Sequence, residues 1–140
     1  MNLKDYFENK YVEFIHYLCI KYHQKPTPFS KLKIIDVIKT KNSKITKSMW
    51  KYQRHHIDEM WISGVILASS EKEYHQGLSI VCSYEEHLFL HYLIVCSNQT
   101  SPNNGMLMQT SLSFWNKTII KMSKKYDIIY LKDWALLLKS

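Results

Sequence analysis

The run Leu78-Ser79-Ile80-Val81-Cys82-Ser83-Tyr84-Glu85-Glu86 constrains the fold of this chain more than any other. Leu78 to Cys82 read as a compact, mostly apolar strand. Ser83 then stands as a helix N-cap, and Glu86 three residues on completes a capping box. The predicted helix runs from Tyr84 to about Ser97. A strand that turns into a capped helix with no loop between them fixes the direction of both. That helix carries His87 and His91 four residues apart, so both rings lie on one face.

Upstream, Phe7, Tyr11, Phe14, Ile15, Leu18 and Tyr22 recur at helical spacing and predict a helix over 3–23. Lys25-Pro26-Thr27-Pro28 stops it. Ser30 is a candidate cap for a second helix from Lys31 to about Thr40, followed by a polar, basic loop to Ser48. Met49 to Ile57 reads as a short strand. Met60 to Glu73, an apolar stretch around Gly64, reads as a hairpin arm or ordered loop. Asn98 to Gly105 is turn-rich, and Thr110 to about Lys125 reads as a helix. Ile128 to Leu138 reads as a short strand followed by a helix. The class is α+β, and 140 residues with 46% hydrophobic content fit a single domain over 1–140.

The three cysteines, Cys19, Cys82 and Cys96, have no paired spacing and read as reduced thiols in a reducing compartment. The N-terminus is polar, and the longest apolar run, Leu88 to Cys96, is too short to span a bilayer. A soluble, cytoplasmic protein with no membrane partner is expected. The net charge is +7, nearly all from lysine, with Arg54 the only arginine. This charge suits a phosphate backbone, and it equally suits a solvated lysine surface.

Chemistry points to the histidines. Four of the seven fall into two clusters, His55-His56 and His87/His91. Imidazole serves both as metal ligand and as general base near neutral pH. Packing is the plainer reading for either cluster alone. In an extended strand adjacent side chains point to opposite faces, so one ring could take a metal while its neighbour faces another group only if the backbone turns there. Glu59, three residues after the pair, is either a surface carboxylate or a partner of a histidine ring or metal-bound water. Glu86 has its explanation in the cap. Trp50, Trp61 and Trp115 read as packing residues, with Trp61 also a candidate for stacking on an unpaired base.

In its order of strand, return strand and capped helix, the chain resembles the HNH, or ββα-metal (His-Me finger), endonucleases. More narrowly, it looks like the small HNH-like proteins of low-G+C bacteria and their phages. The likeness rests on His55-His56-Ile57-Asp58-Glu59 and on Leu78-Ser79-Ile80-Val81-Cys82-Ser83-Tyr84-Glu85-Glu86-His87-Leu88-Phe89-Leu90-His91, with Tyr74-His75-Gln76 as lead-in. It implies an HNH-like ββα-metal core over 44–97, a helical N-terminal region over 1–43 and a C-terminal helical extension over 98–140. It also implies His56 as the general base, and His55, His87 and His91 as ligands of one divalent ion (Mg2+, Mn2+, Ni2+ or Zn2+). DNA is the implied partner, with Lys44, Lys47, Lys51 and Arg54 holding phosphates. Where the family has an asparagine that orients the base histidine, this chain has Gly77.

The resemblance implies a metal-dependent DNA endonuclease that hydrolyses phosphodiesters with a histidine-activated water. Double-strand cleavage from one site per chain would favour a homodimer. Gly77 motivates the alternative, a weakened or inactive HNH-fold protein that binds DNA or blocks a protein partner, as a phage or defence-related inhibitor does. A third reading is a small protein whose histidines only pack.

Overall fold

A computed structural model describes residues 2–140. The described residues form six α-helices and a three-stranded antiparallel sheet. Helix α1 (Leu3–Lys21) is capped by Asn2, whose side chain accepts from the Asp5 amide. It buries the predicted stripe Phe7, Tyr11, Phe14, Ile15 and Leu18. The helix ends two residues earlier than expected, and His23 leaves it with φ 51°.

Strand β1 (Thr27–Pro28) forms where the sequence signalled only a helix stop. It lies at the sheet edge, where proline costs no interior ladder bond. Helix α2 (Ile34–Ile38) is half the expected length, and Lys33, not Ser30, occupies its N-cap. The amides of Lys31 and Leu32 fold back to the Pro28 carbonyl, which uses residues 28–32 as a turn.

Strand β2 (Tyr52–His56) follows a hairpin in which Lys44 bridges Trp50. Asn42 holds the hairpin's base by bonds to both the amide and the carbonyl of Tyr52. A 3-10 turn (Ile57–Met60) leads into α3 (Gly64–Ala68) and α4 (Glu71–Gln76). Two short helices therefore replace the expected hairpin arm. Met60, Ser63 and Leu67 are buried at helical spacing, while Ile62, Val65 and Ile66 stay exposed. The exposed apolar residues concealed the period.

Strand β3 (Leu78–Ser83) is central, with β1 and β2 on either side. Its register on β2 sets His55 opposite Ile80 and His56 opposite Ser79. Helix α5 (Tyr84–Ser97) has the predicted bounds and capping box. Nearly all of it is buried, because α1 and α6 (Leu112–Tyr126) cover it. Its buried tryptophan neighbours are satisfied: Trp115 donates to the Leu88 carbonyl and Trp134 to Asn116.

The strand expected near Ile128 does not form. The Ile129 amide donates to the Tyr6 hydroxyl, and the Tyr92 hydroxyl bridges Ile129 and Leu131, so tyrosines take the place of a sheet partner. The expected terminal helix is a 3-10 turn (Trp134–Leu137). All three cysteines are unpaired, as expected. Among the described residues, no helix is long and apolar enough to cross a membrane.

Glu86 ties the capped junction to α1. Its Oε1 accepts from the Ser83 amide and the Tyr22 hydroxyl, and its Oε2 faces Lys21 Nζ at 2.6 Å. The residue is 2% exposed. Glu86→Ala removes a cap and strands three donors, so a loss of about 2–3 kcal/mol is expected in urea unfolding. A loss under about 0.5 kcal/mol would show that the junction does not depend on this carboxylate.

Candidate metal centre

Strand alternation separates the paired histidines. His55 turns inward beneath α1 and α5 and is fully buried. His56 turns toward Phe29 and Tyr74. On α5, His87 and His91 project toward His55, with ring centroids 4.9–5.2 Å apart among the three. Glu59, on the 3-10 turn after β2, completes the group: its Oε2 lies 3.1 Å from His55 Nδ1 and 3.4 Å from His91 Nε2. One ligand atom from each of these four residues lies within 4.8 Å of the others. Glu59 thus belongs with the ligand atoms themselves and not behind a histidine ring.

Hydrogen bonds fix which ring nitrogens are available. The Tyr11 hydroxyl has one proton and donates it to the Ile57 carbonyl at 2.8 Å. It lies 2.7 Å from His55 Nε2 and therefore accepts from that nitrogen. His55 Nδ1 is left with its lone pair, buried and without a hydrogen-bond partner. A lone pair 3.1 Å from a carboxylate is repulsive unless a cation or proton lies between them. Gln53 does for His87 what Tyr11 does for His55. Its amide nitrogen donates to the Trp50 carbonyl, so its oxygen faces His87 Nδ1 at 2.6 Å and accepts from it. His87 Nε2 remains as the ligand nitrogen.

Burial pushes both His55 and His87 down from the ordinary histidine range, His87 further. Burial also pushes the Glu59 carboxyl up, but His91 and then His55 outweigh it and hold the group well below its usual range. Burial that disfavours charge on His55 and His87, beside an ionised Glu59, leaves lone pairs on those two rings available to a cation. The residues present therefore fit a divalent ion. Three imidazoles and one carboxylate suit zinc, nickel or manganese better than magnesium.

The rings of His56, His87 and His91 and the carboxylate of Glu59 line one groove of about 1000 Å³. Gly64 clears room for Glu59, since a Cβ there would collide with its Oε1. No family model, curated protein or solved structure matches this chain.

His56 is held by a backbone carbonyl and an aromatic ring. Its Nε2 lies 2.7 Å from the Tyr74 carbonyl, which can only accept, so Nε2 carries the proton and Nδ1 is the basic nitrogen. The ring stacks on Phe29 at 4.3 Å. Gly77 serves this arrangement: a Cβ there would fall 3.1 Å from His56 Cδ2 and 3.0 Å from the Glu73 carbonyl.

The expected phosphate-binding residues separate into two groups. Lys44, Lys47 and Lys51 are exposed on the hairpin before β2. Arg54 is engaged elsewhere: Nη1 donates to the carbonyls of Phe29 and Leu32, and the guanidinium lies 3.8 Å from the Phe29 ring centre. Its role is to pin residues 29–32 to β2. Trp61 is also held away from the groove, with Nε1 on Glu8 and its ring edge-on to Tyr11.

No role in the site was read from sequence for Tyr11, Gln53, Tyr74 or Gly64. Only Gln53 left a signal there, since it lies two residues before His55 on the same strand face.

A pH dependence follows from the buried rings. Below about 6.5 an unfolded histidine takes a proton that folded His87 resists, so the unfolded chain binds more protons and stability falls. Below about 4.5 the unfolded Glu59 carboxyl protonates while the folded one stays ionised, and stability falls further. The urea midpoint of chelator-treated protein should drop from pH 7.5 to 5.5, and less steeply in His87→Gln. Parallel profiles for the two proteins would contradict the assignment.

A second test concerns Gly77. Gly77→Asn should displace the His56 ring and change its imidazole nitrogen chemical shifts, while His87 keeps its own. An unmoved His56 would show that the space beside Gly77 is not needed.

Proposed function

We propose that the protein is a metal-dependent, HNH-type DNA endonuclease, with the antiparallel pair β2 and β3 and helix α5 as its ββα-metal core. The carrying observation is that His56 follows the ligand His55 in sequence, yet has a separate hydrogen-bonded setting on the same groove as Glu59, His87 and His91.

In this reading His56 Nδ1 takes the proton of the attacking water, and the Tyr74 carbonyl holds the ring in the tautomer that can do so. Phe29 keeps the ring from turning. His55, His87, His91 and Glu59 would hold the ion, which when bound stabilises charge on the scissile phosphate and the leaving oxygen. Tyr11 and Gln53 orient two of the ligands. Lys44, Lys47 and Lys51 would contact phosphates beside the cut.

One observation favours the non-catalytic alternative. With Glu59 included, the chain offers four donors, the number that closes a tetrahedral structural site. An ion so saturated would stabilise a DNA-binding or partner-blocking protein without turnover.

Plasmid DNA incubated with the protein and magnesium, manganese, nickel or zinc separates the two. Nicking or linearisation is expected, reduced about 10²- to 10⁴-fold in His56→Ala. His56→Ala should keep the metal-dependent rise in melting temperature, whereas His87→Ala should lose it. Intact plasmid under every metal, together with an unchanged metal-dependent rise, would establish the structural-ion reading instead.

A further inference from the structure

We infer that the groove takes an unpaired DNA strand, with a base stacked on Trp50, in preference to intact duplex; this rests on the nuclease reading above. Three observations support it. The first is where the charge lies. Among the described residues lining the groove, Arg54 is the only Lys or Arg, and its guanidinium is committed to the backbone carbonyls of Phe29 and Leu32. Lys44, Lys47 and Lys51 are exposed outside the groove on the hairpin, with Lys44 Nζ 3.3 Å from the Lys47 carbonyl.

The second is what the groove offers in place of charge. Trp50, Val65 and Met108 line it while remaining 46%, 64% and 92% exposed, so they form its accessible rim. Trp50 is fixed in place by the Lys44–Trp50 bridge, and the Lys44 ammonium lies 5.0 Å from its ring centre. An aromatic face next to a cation is the pairing that binds a base and its phosphate together.

The third is depth. His55 is fully buried, His87 is 7% exposed, and the His91 side chain 12%. A phosphate must enter the groove to reach them. A duplex presents phosphate and sugar outward and keeps its bases inside, so its surface has no use for an apolar rim. An unpaired strand can send bases onto Trp50 and Val65 and phosphates onto the lysines at the same time. Indirectly, Trp50 also borders the metal centre, because its carbonyl holds Gln53, which orients His87. A substitution that keeps the backbone leaves that link intact.

The test measures binding without cleavage. Full-length His56→Ala protein with zinc is titrated by fluorescence anisotropy with labelled oligo(dT) of about 16 nucleotides and with a blunt duplex of the same length. Oligo(dT) should bind at least about 10-fold more tightly than duplex. Adding Trp50→Ala should weaken oligo(dT) binding about 10-fold and leave duplex binding unchanged, and Trp50→Phe should restore most of the loss. Lys44→Ala with Lys47→Ala should weaken both and flatten the dependence on salt. Duplex binding as tight as oligo(dT), or oligo(dT) binding indifferent to Trp50→Ala in a protein of unchanged melting temperature, would overturn the inference. The two readings fail separately. Wild-type protein that binds oligo(dT) through Trp50 but cuts no DNA ends the nuclease reading alone. Wild-type protein that cuts plasmid while preferring duplex ends this one alone.

Discussion

Three imidazoles and a carboxylate occupy part of the core, and the surrounding structure makes that burial tolerable. A buried polar group without a partner costs roughly 1–3 kcal/mol, and a buried charge costs more. Tyr11 satisfies one nitrogen of His55 and Gln53 one nitrogen of His87. Each of these bonds also decides which nitrogen is left over. Those that remain face Glu59 and each other, where only a cation or a proton can satisfy them. Helix α1 is therefore part of the site although it lies far from it in sequence, since Tyr11 comes from its buried face.

The parts of the fold legible in the sequence are those set by local chemistry. The β3–α5 junction was readable because a capping box is a short-range hydrogen-bond pattern, and α1 because its apolar stripe is regular. The segment from Met60 to Glu73 was not, because exposed Ile62, Val65 and Ile66 obscured the period that Met60, Ser63 and Leu67 obey. Strand β1 depends wholly on β3, and two residues carry no strand signal. In the site, the histidines were visible as a pattern of residue types. The place of Glu59 among them was not, since it depends on a 3-10 turn at the end of β2 and on the gap left by Gly64.

Gly77 and Arg54 show how one sequence position can carry opposite implications. Gly77 looked like the loss of an orienting side chain. In the fold a backbone carbonyl orients His56, and the absent Cβ leaves the ring its space. Arg54 was expected to hold a phosphate together with Lys44, Lys47 and Lys51. Its Nη1 instead donates to two carbonyls while the planar guanidinium lies on an aromatic face, which suits arginine better than lysine, and the exposed lysine charge is left on the hairpin.

The number of donors around an ion does not by itself decide between a structural and a catalytic centre; what matters is whether one of them can leave. Two of the histidines are fixed by hydrogen bonds, His55 by Tyr11 and His87 by Gln53, and His91 shares the largely buried helix α5 with His87. Glu59 is different. It is the most exposed of the four, it hangs from a short turn at the groove wall, and the described contacts of its Oε2 are to the histidines themselves. If an ion were bound there, such a carboxylate would be the easiest of the four donors to give up. Under the nuclease reading Glu59 would be the donor that gives way to substrate, so a set of four donors is compatible with turnover.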